Sequence, residues 1–238
     1  MKTRLALLAA GMAFALLSQT QSESNAAYRR YQELARNPAA PLADVLKAAD
    51  EWLQTYERSI PDPRNLPPYL TLARFYASRG IRADAVLPLL EKGVEELSAP
   101  GSFTQVRTRG NSPFGDDIER GLAANIYTQL RLYDKARDLL ATAGRTVNQT
   151  RPDELDGSQA RIFEALRFQY RDGMARLAMA EDRKDEALAW EHAILTNPKN
   201  VASRGLIEEH RGMARRLWQE LGRSGDFEKW LAGDGGRQ

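Results

Sequence analysis

The chain has 238 residues, with 34 Lys+Arg against 32 Asp+Glu for a net charge of +2, no cysteine and only two histidines. The lack of cysteine excludes a disulfide framework, a thiolate nucleophile, a CxxC redox motif, a lipoprotein acylation site and cysteine-ligated zinc. Two histidines exclude a multi-histidine metal site, and nothing in the composition implies a cofactor. Alanine and leucine (34 and 30) far outnumber valine and isoleucine (6 and 7). That balance favours helix, because Ala and Leu lose little freedom there while β-branched side chains are stiff at χ1. The expectation is an all-α protein with a sizeable core. A charge of +2 spread over this length gives no strong field, so a nucleic-acid partner is not expected.

The first segment, residues 1–26, has the layout of a secretory signal peptide. Lys2 and Arg4 precede an apolar run from Leu5 to Leu17, and polar and small residues follow up to Ala26. Thirteen apolar residues are too few for a bilayer span, which needs about 20. The expectation is export to a periplasmic or extracellular location, with no stable membrane insertion after cleavage.

Amphipathic periodicity with Pro, Gly and Asn punctuation predicts helices over 26–36, 42–58, 66–79, 83–98, 116–131, 134–144, 158–182, 185–196, 203–222 and 226–232. These assign 27–222 to a helical-repeat domain and 223–238 to a short terminal helix and a disordered tail. LARFYASRGIRADAVLPLL (72–90) aligns with AANIYTQLRLYDKARDLLA (123–141) at a shift of 51, and a second shift of 51 reaches MARLAMAEDRKDEALAWEH (174–192). Ala73, Ala124 and Ala175 recur in the first helix of each pair, and Ala85, Ala136 and Ala187 in the second. Small residues let paired helices approach closely, while Tyr76, Tyr127, Leu89 and Leu140 fill the space between pairs. Glu191 stands where Leu89 and Leu140 do, which suggests a slip of one residue that puts Trp190 in the leucine slot. Pro88 predicts a late start or a kink in its helix. Residues 26–60 read as an earlier, degenerate pair with Tyr28, Tyr31, Leu34, Leu46, Ala49, Leu53 and Tyr56 as core.

LARFY...ADAVLPLL, AANIY...DKARDLL and DEALAWEHAILTNPKN resemble tetratricopeptide repeats, with Pro198 closing the last of them. The family's spacing is 34 residues rather than 51, the difference lying in insertions at 99–115 and 145–157. The resemblance implies antiparallel helix hairpins stacked as a superhelix, with the first helix of each hairpin lining a concave face that binds a protein or peptide. On that frame Arg74, Asn125 and Arg176, one position after each recurring alanine, face the groove, with Gln129 a turn beyond Asn125. Planar polar groups there suit an extended peptide backbone or a carboxylate. The long stretch 99–115 is a second candidate surface, through Phe103, Arg107, Arg109 and Phe114.

No catalytic constellation emerges. Asp116-Asp117 and Glu208-Glu209 are neighbours in sequence, about 100° apart on a helix, and so do not face one substrate. His192 has no ligand at helical spacing, and His210 falls on the apolar stripe Leu206, Met213, Leu217 and Leu221, where a packed, hydrogen-bonded side chain is expected. The arginines of 204–223 are interleaved with Glu208, Glu209 and Glu220, which suits a helix capping the stack. The segment ARRLWQELGRSGDFEKWLAG (214–233) resembles the stretch preceding the thioredoxin-like domain of some exported bacterial redoxins. That resemblance implies an adaptor in a thiol-disulfide system, any thiol chemistry belonging to a partner. The expected function is a non-enzymatic scaffold; the alternative is an all-α, muramidase-like hydrolase using Glu164 or Glu181 as a buried general acid.

Overall fold

The computed structural model describes residues 22–59, 67–98 and 114–233, and the signal-peptide run at Leu5–Leu17 lies outside them. Every regular element among the described residues is helical, and none is long and apolar enough to cross a membrane. The chain divides into two compact units, 1–109 and 110–238.

The first unit holds α1 (22–36), α2 (Leu42–Arg58), α3 (Tyr69–Arg79) and α4 (Ala83–Ser98). Helix α1 begins at least four residues before Ala26, with Ser24 buried in it. Val45, Ala48, Ala49, Trp52 and Tyr56 form the inward stripe of α2 at helical spacing. Trp52 is 1% exposed and receives Tyr31 stacked at 5.2 Å and Tyr28 at 4.7 Å from α1. Leu34, Leu46 and Leu53, expected in this core, are only half-buried, and Leu46 turns instead to the outer side of α2. Burial pushes the Tyr31 hydroxyl up to about 12, with the neighbouring Tyr76 adding to it. Helix α4 starts at Ala83 and runs through Pro88. The proline faces solvent, so the carbonyl it leaves without an amide partner can be met by water. The buried register of α4 is Val86, Leu89, Leu90, Gly93 and Leu97, and Ala85 lies beside it rather than in it.

The second unit holds α5 (Gly115–Gln129), α6 (Tyr133–Gln149), α7 (Gly157–Ala180), α8 (Lys184–Leu195), α9 (Arg204–Glu220) and α10 (Phe227–Leu231). Helix α5 packs on α6 and α7, α6 also packs on α7, and α8 packs on α7 and α9. Asp117 on α5 accepts a hydrogen bond from Thr146 of α6 (2.5 Å), which adds a polar tie to that pair. Gly144 does not end α6, as its residue type suggests; the helix continues to Gln149. A Cβ at Gly144 would lie 3.0 Å from the Tyr170 ring, so this glycine is a point of close helix approach. Asp156 caps α7 through a reciprocal capping box with Gln159. Arg171 on α7 donates to the carbonyl of Ala193 (2.7 Å), one of the carbonyls left without an amide at the end of α8. Short helix α10 closes the apolar end, setting Phe227 and Leu231 against Ala187, Leu188, Ala214 and Leu217.

The 51-residue spacing recurs in the backbone itself. Gly80, Arg131 and Asp182 all take the left-handed conformation, at φ 63°, 61° and 58°. Beyond each, an amide reaches back five residues in the same way: Ile81 to Tyr76 (3.1 Å), Leu132 to Tyr127 (2.9 Å) and Arg183 to Ala178 (2.8 Å). These are Schellman endings, each followed after one or two residues by the next helix. Only the first has the residue that adopts this conformation without a Cβ penalty.

Two outcomes follow from these environments. Arg131→Gly should stabilise the chain by roughly 0.5–1 kcal/mol, read as a raised midpoint in denaturant unfolding, since the left-handed penalty is relieved and partly offset by a more flexible unfolded chain. In the first unit, burial pushes the Glu96 carboxyl from its ordinary 4.5 up to about 7, against the opposing effects of the hydrogen bond from Tyr56 and the charge of Lys92. The folded state therefore holds this proton more tightly, so the contribution of Glu96 to stability is greatest at or below pH 4.5 and is lost as pH rises to about 7. Glu96→Gln should match the wild type in thermal melts near pH 4.5 and exceed it at pH 8, by on the order of 1 kcal/mol after solvent screening at this half-buried site.

Candidate functional site

The polar centre of the second unit is built on α5, α7, α8 and α9. Ala124 and Ala175, both fully buried, bring α5 and α7 close, and the residues that follow them, Asn125 and Arg176, meet at one carboxylate. Asp172, a turn before Arg176, accepts from Asn125 Nδ2 at its Oδ2 (2.9 Å) and from Arg176 Nε at its Oδ1 (2.6 Å). Asp172 is 6% exposed. Burial opposes the Arg176 charge, but Asp172, with Glu209 and Glu191 further off, holds its guanidinium above the ordinary arginine value. Its Nη2 makes only a loose ion pair to the exposed Glu209 of α9, at 3.7 Å. One edge of the guanidinium is therefore spent on Asp172 while the other stays near the surface.

Beneath this lies a fully buried pair. Glu191 of α8 and His210 of α9 both have no exposed surface, and His210 Nδ1 lies 2.8 Å from Glu191 Oε2. His210 Nε2 faces Asp172 Oδ1 at 3.6 Å, outside hydrogen-bond reach, and Phe168 packs edge-on to the imidazole at 5.5 Å. The expected slip placing Trp190 in the leucine slot is corrected here: Glu191 keeps the buried position of Leu140, and Trp190 is only half-buried. The array stays in register because His210 supplies the partner that the buried carboxylate needs. The helical stripe places His210 inside the core, as its spacing predicts. Glu191 stands out in the sequence only as an acidic residue at a repeat position otherwise held by leucine, and Asp172, which a shift of 51 sets opposite Gly121, carries no such signal.

The remaining candidates are dispersed. Gln129 is exposed at the last turn of α5. Arg74 is half-buried on α3 in the first unit, with its charge near Tyr31. Phe103, Arg107 and Arg109 lie outside the described residues. Phe114 does not belong to an accessible loop: it is 3% exposed and packs on Phe163 at 5.3 Å. Glu164 borders a cavity of about 310 Å³, but both its oxygens are taken, by Arg167 (2.8 Å) and Asn197 (3.1 Å). Glu181 is paired with Arg137 and Arg183. Arg215 bonds Glu228 (2.6 Å) and Arg223 pairs with Asp185, so these α9-region arginines tie the end of the unit together. Among the described residues no group of three or more His, Asp or Glu is placed to hold a metal ion.

The buried pair sets a clear expectation. His210→Leu, which leaves Glu191 buried without its partner, should destabilise the fold by about 3–5 kcal/mol, whereas the double change Glu191→Leu/His210→Leu should come within about 1 kcal/mol of the wild type or exceed it. Denaturant unfolding of the two single variants and the double variant measures this directly. No protein-family model, curated protein or solved structure matches the chain.

Proposed function

We propose that this protein is an exported helical-repeat scaffold, its antiparallel hairpins stacked in the tetratricopeptide manner, that binds a protein or peptide partner and performs no chemistry of its own. The observation that carries the reading is the meeting of Asn125 and Arg176 at Asp172. Equivalent positions of two adjacent helices, 51 residues apart, present planar polar groups to one place, and the Arg176 fork keeps an edge near the surface. Such an edge suits a backbone carbonyl or a carboxylate of an extended chain. The arginine and asparagine bonds to Glu164, and the arginine pairs of Glu181, favour this reading over a hydrolase, which needs an unpaired carboxyl between apolar walls.

Export rests on the basic start and the 13-residue apolar run at Leu5–Leu17. The adaptor role in a thiol-disulfide system rests on the resemblance of 214–233 to the region before a redoxin domain. In this chain that segment forms the end of α9 and α10, where Trp218 and Trp230 pack at 4.9 Å. The test is affinity capture from a periplasmic fraction with the wild type and with Arg74→Ala/Asn125→Ala/Arg176→Ala, helicity being matched by circular dichroism. The expected result is a protein or peptide retained by the wild type and depleted at least tenfold with the variant. Equal retention by both overturns the assignment of the face.

A further inference from the structure

On the first unit, a groove of about 700 Å³ runs along the outer side of α2, walled by Arg30 of α1 on one flank and by Arg82 of the α3–α4 turn on the other. Its floor alternates charge and small polar groups at helical spacing: Lys47, Asp50, Glu51, Gln54 and Arg58, with Leu46 as an apolar contact. The two carboxylates are already neutralised. Arg82 grips Asp50 with both arms of its fork, one of them at 2.8 Å, and Arg30 bonds Glu51 at 3.3 Å. Among the described residues Lys47 has no carboxylate partner, and Arg58 bonds only the Gln54 side-chain oxygen, at 3.2 Å. Both side chains are exposed. The groove thus carries two cations in excess, one towards each end.

The Arg82 wall is fixed in place. Its backbone takes φ 45°, a conformation costly for a residue with a side chain. Its guanidinium also lies over the Tyr76 ring at 5.4 Å and donates to that hydroxyl at 3.3 Å. These contacts hold one flank rigid before any ligand arrives, which lowers the ordering cost of binding. Lys47 and Arg58 are eleven positions apart. At about 1.5 Å per helical residue they stand about 16 Å apart. An extended peptide covers about 13 Å in four residues, an even step that keeps both end side chains on one side, and the long Lys and Arg side chains span the difference.

We infer that this groove binds an extended acidic peptide whose two carboxylates, four residues apart and so on one side of the strand, meet Lys47 and Arg58 while its backbone lies across Gln54 and Leu46. A nucleic-acid strand fits poorly, because its phosphates recur about every 3.4 Å and would be set against Asp50 and Glu51. An anionic membrane calls for a continuous basic and apolar face, which the interleaved carboxylates interrupt. The inference stands on residues of the first unit alone and does not require the Asn125–Arg176 face to bind anything.

The test uses the full chain and fluorescence anisotropy with a labelled pentapeptide bearing glutamates at its two ends and three alanines between them. Controls are the same peptide with glutamines, a peptide with the glutamates adjacent, a single-stranded RNA and vesicles of anionic phospholipid. The end-spaced acidic peptide should bind in a salt-sensitive way, and at least tenfold more tightly than any control. Lys47→Glu/Arg58→Glu should abolish that binding, and Lys47→Gln/Arg58→Gln should weaken it at least tenfold with the circular dichroism spectrum unchanged. The Arg74→Ala/Asn125→Ala/Arg176→Ala variant should bind this peptide as the wild type does. No binding of the acidic peptide by the wild type, equal binding by the Lys47/Arg58 variants, loss in the Arg74/Asn125/Arg176 variant alone, or preferential binding of RNA or vesicles would each overturn the inference.

Discussion

A helix that must give way to the next within three or four residues needs one residue in the left-handed conformation and an amide reaching back five residues to close the ending behind it. Three such endings, centred on Gly80, Arg131 and Asp182, decide which faces of α3 and α4, of α5 and α6, and of α7 and α8 are offered to each other. Everything else in the two units is built on those faces. Ala73, Ala124 and Ala175, each without exposed surface, are affordable there only because the endings set the helices close enough for a methyl group to fill the gap. The chain accepts a Cβ penalty at Arg131 and Asp182 to keep that geometry, which indicates that the reversal matters more to the fold than the identity of the residue making it.

The second unit places a carboxylate where its relatives within the chain place leucine. Burying the Glu191 carboxyl alone would be untenable, since a desolvated polar group left without a partner costs free energy. The imidazole of His210, delivered by α9, answers it, and Asp172 stands on the far side of the same ring. One consequence concerns specificity rather than stability. Helix α9 can dock on α7 and α8 in only one register without stranding Glu191, so the polar pair indexes the last long helix in a way leucine would not. The same Asp172 anchors Asn125 and Arg176, which links the register of the core to the polar surface above it.

Charge on the rest of the chain follows a related logic. Arginine predominates over lysine, 27 to 7, and many arginines are committed: Arg82 to Asp50, Arg167 to Glu164, Arg171 to the end of α8, Arg215 to Glu228. A planar fork serves such fixed contacts better than a flexible ammonium. Lys47, Arg58 and the outer edge of Arg176 are, among the described residues, cations without such a close carboxylate contact. Recognition of an extended chain by a few such groups on rigid helices needs no catalytic residue, and none of the paired glutamates has the isolation that acid catalysis requires.

Much of this was legible in the sequence. Helical composition, the positions of nearly all the helices, the 51-residue spacing and the burial of His210 follow from periodicities and propensities, which act over a few residues and are written in local order. Gly144 reads as a helix end because residue type alone does not distinguish an end from a close crossing; its place inside the helix is decided by the Tyr170 ring, a contact 26 residues away. The Trp190 slip failed for the same reason: a buried glutamate looks like an error until the histidine that satisfies it arrives from another helix. Asn125 and Arg176 could be picked out by spacing, but their common attachment to Asp172, the burial of Phe114 and the groove along α2 could not. The elements, their order and their repeat are written in residue order, because they depend on neighbours along the chain. Only the tertiary structure decided which polar groups are consumed by one another and which remain to meet a partner, because that depends on pairings between residues tens of positions apart.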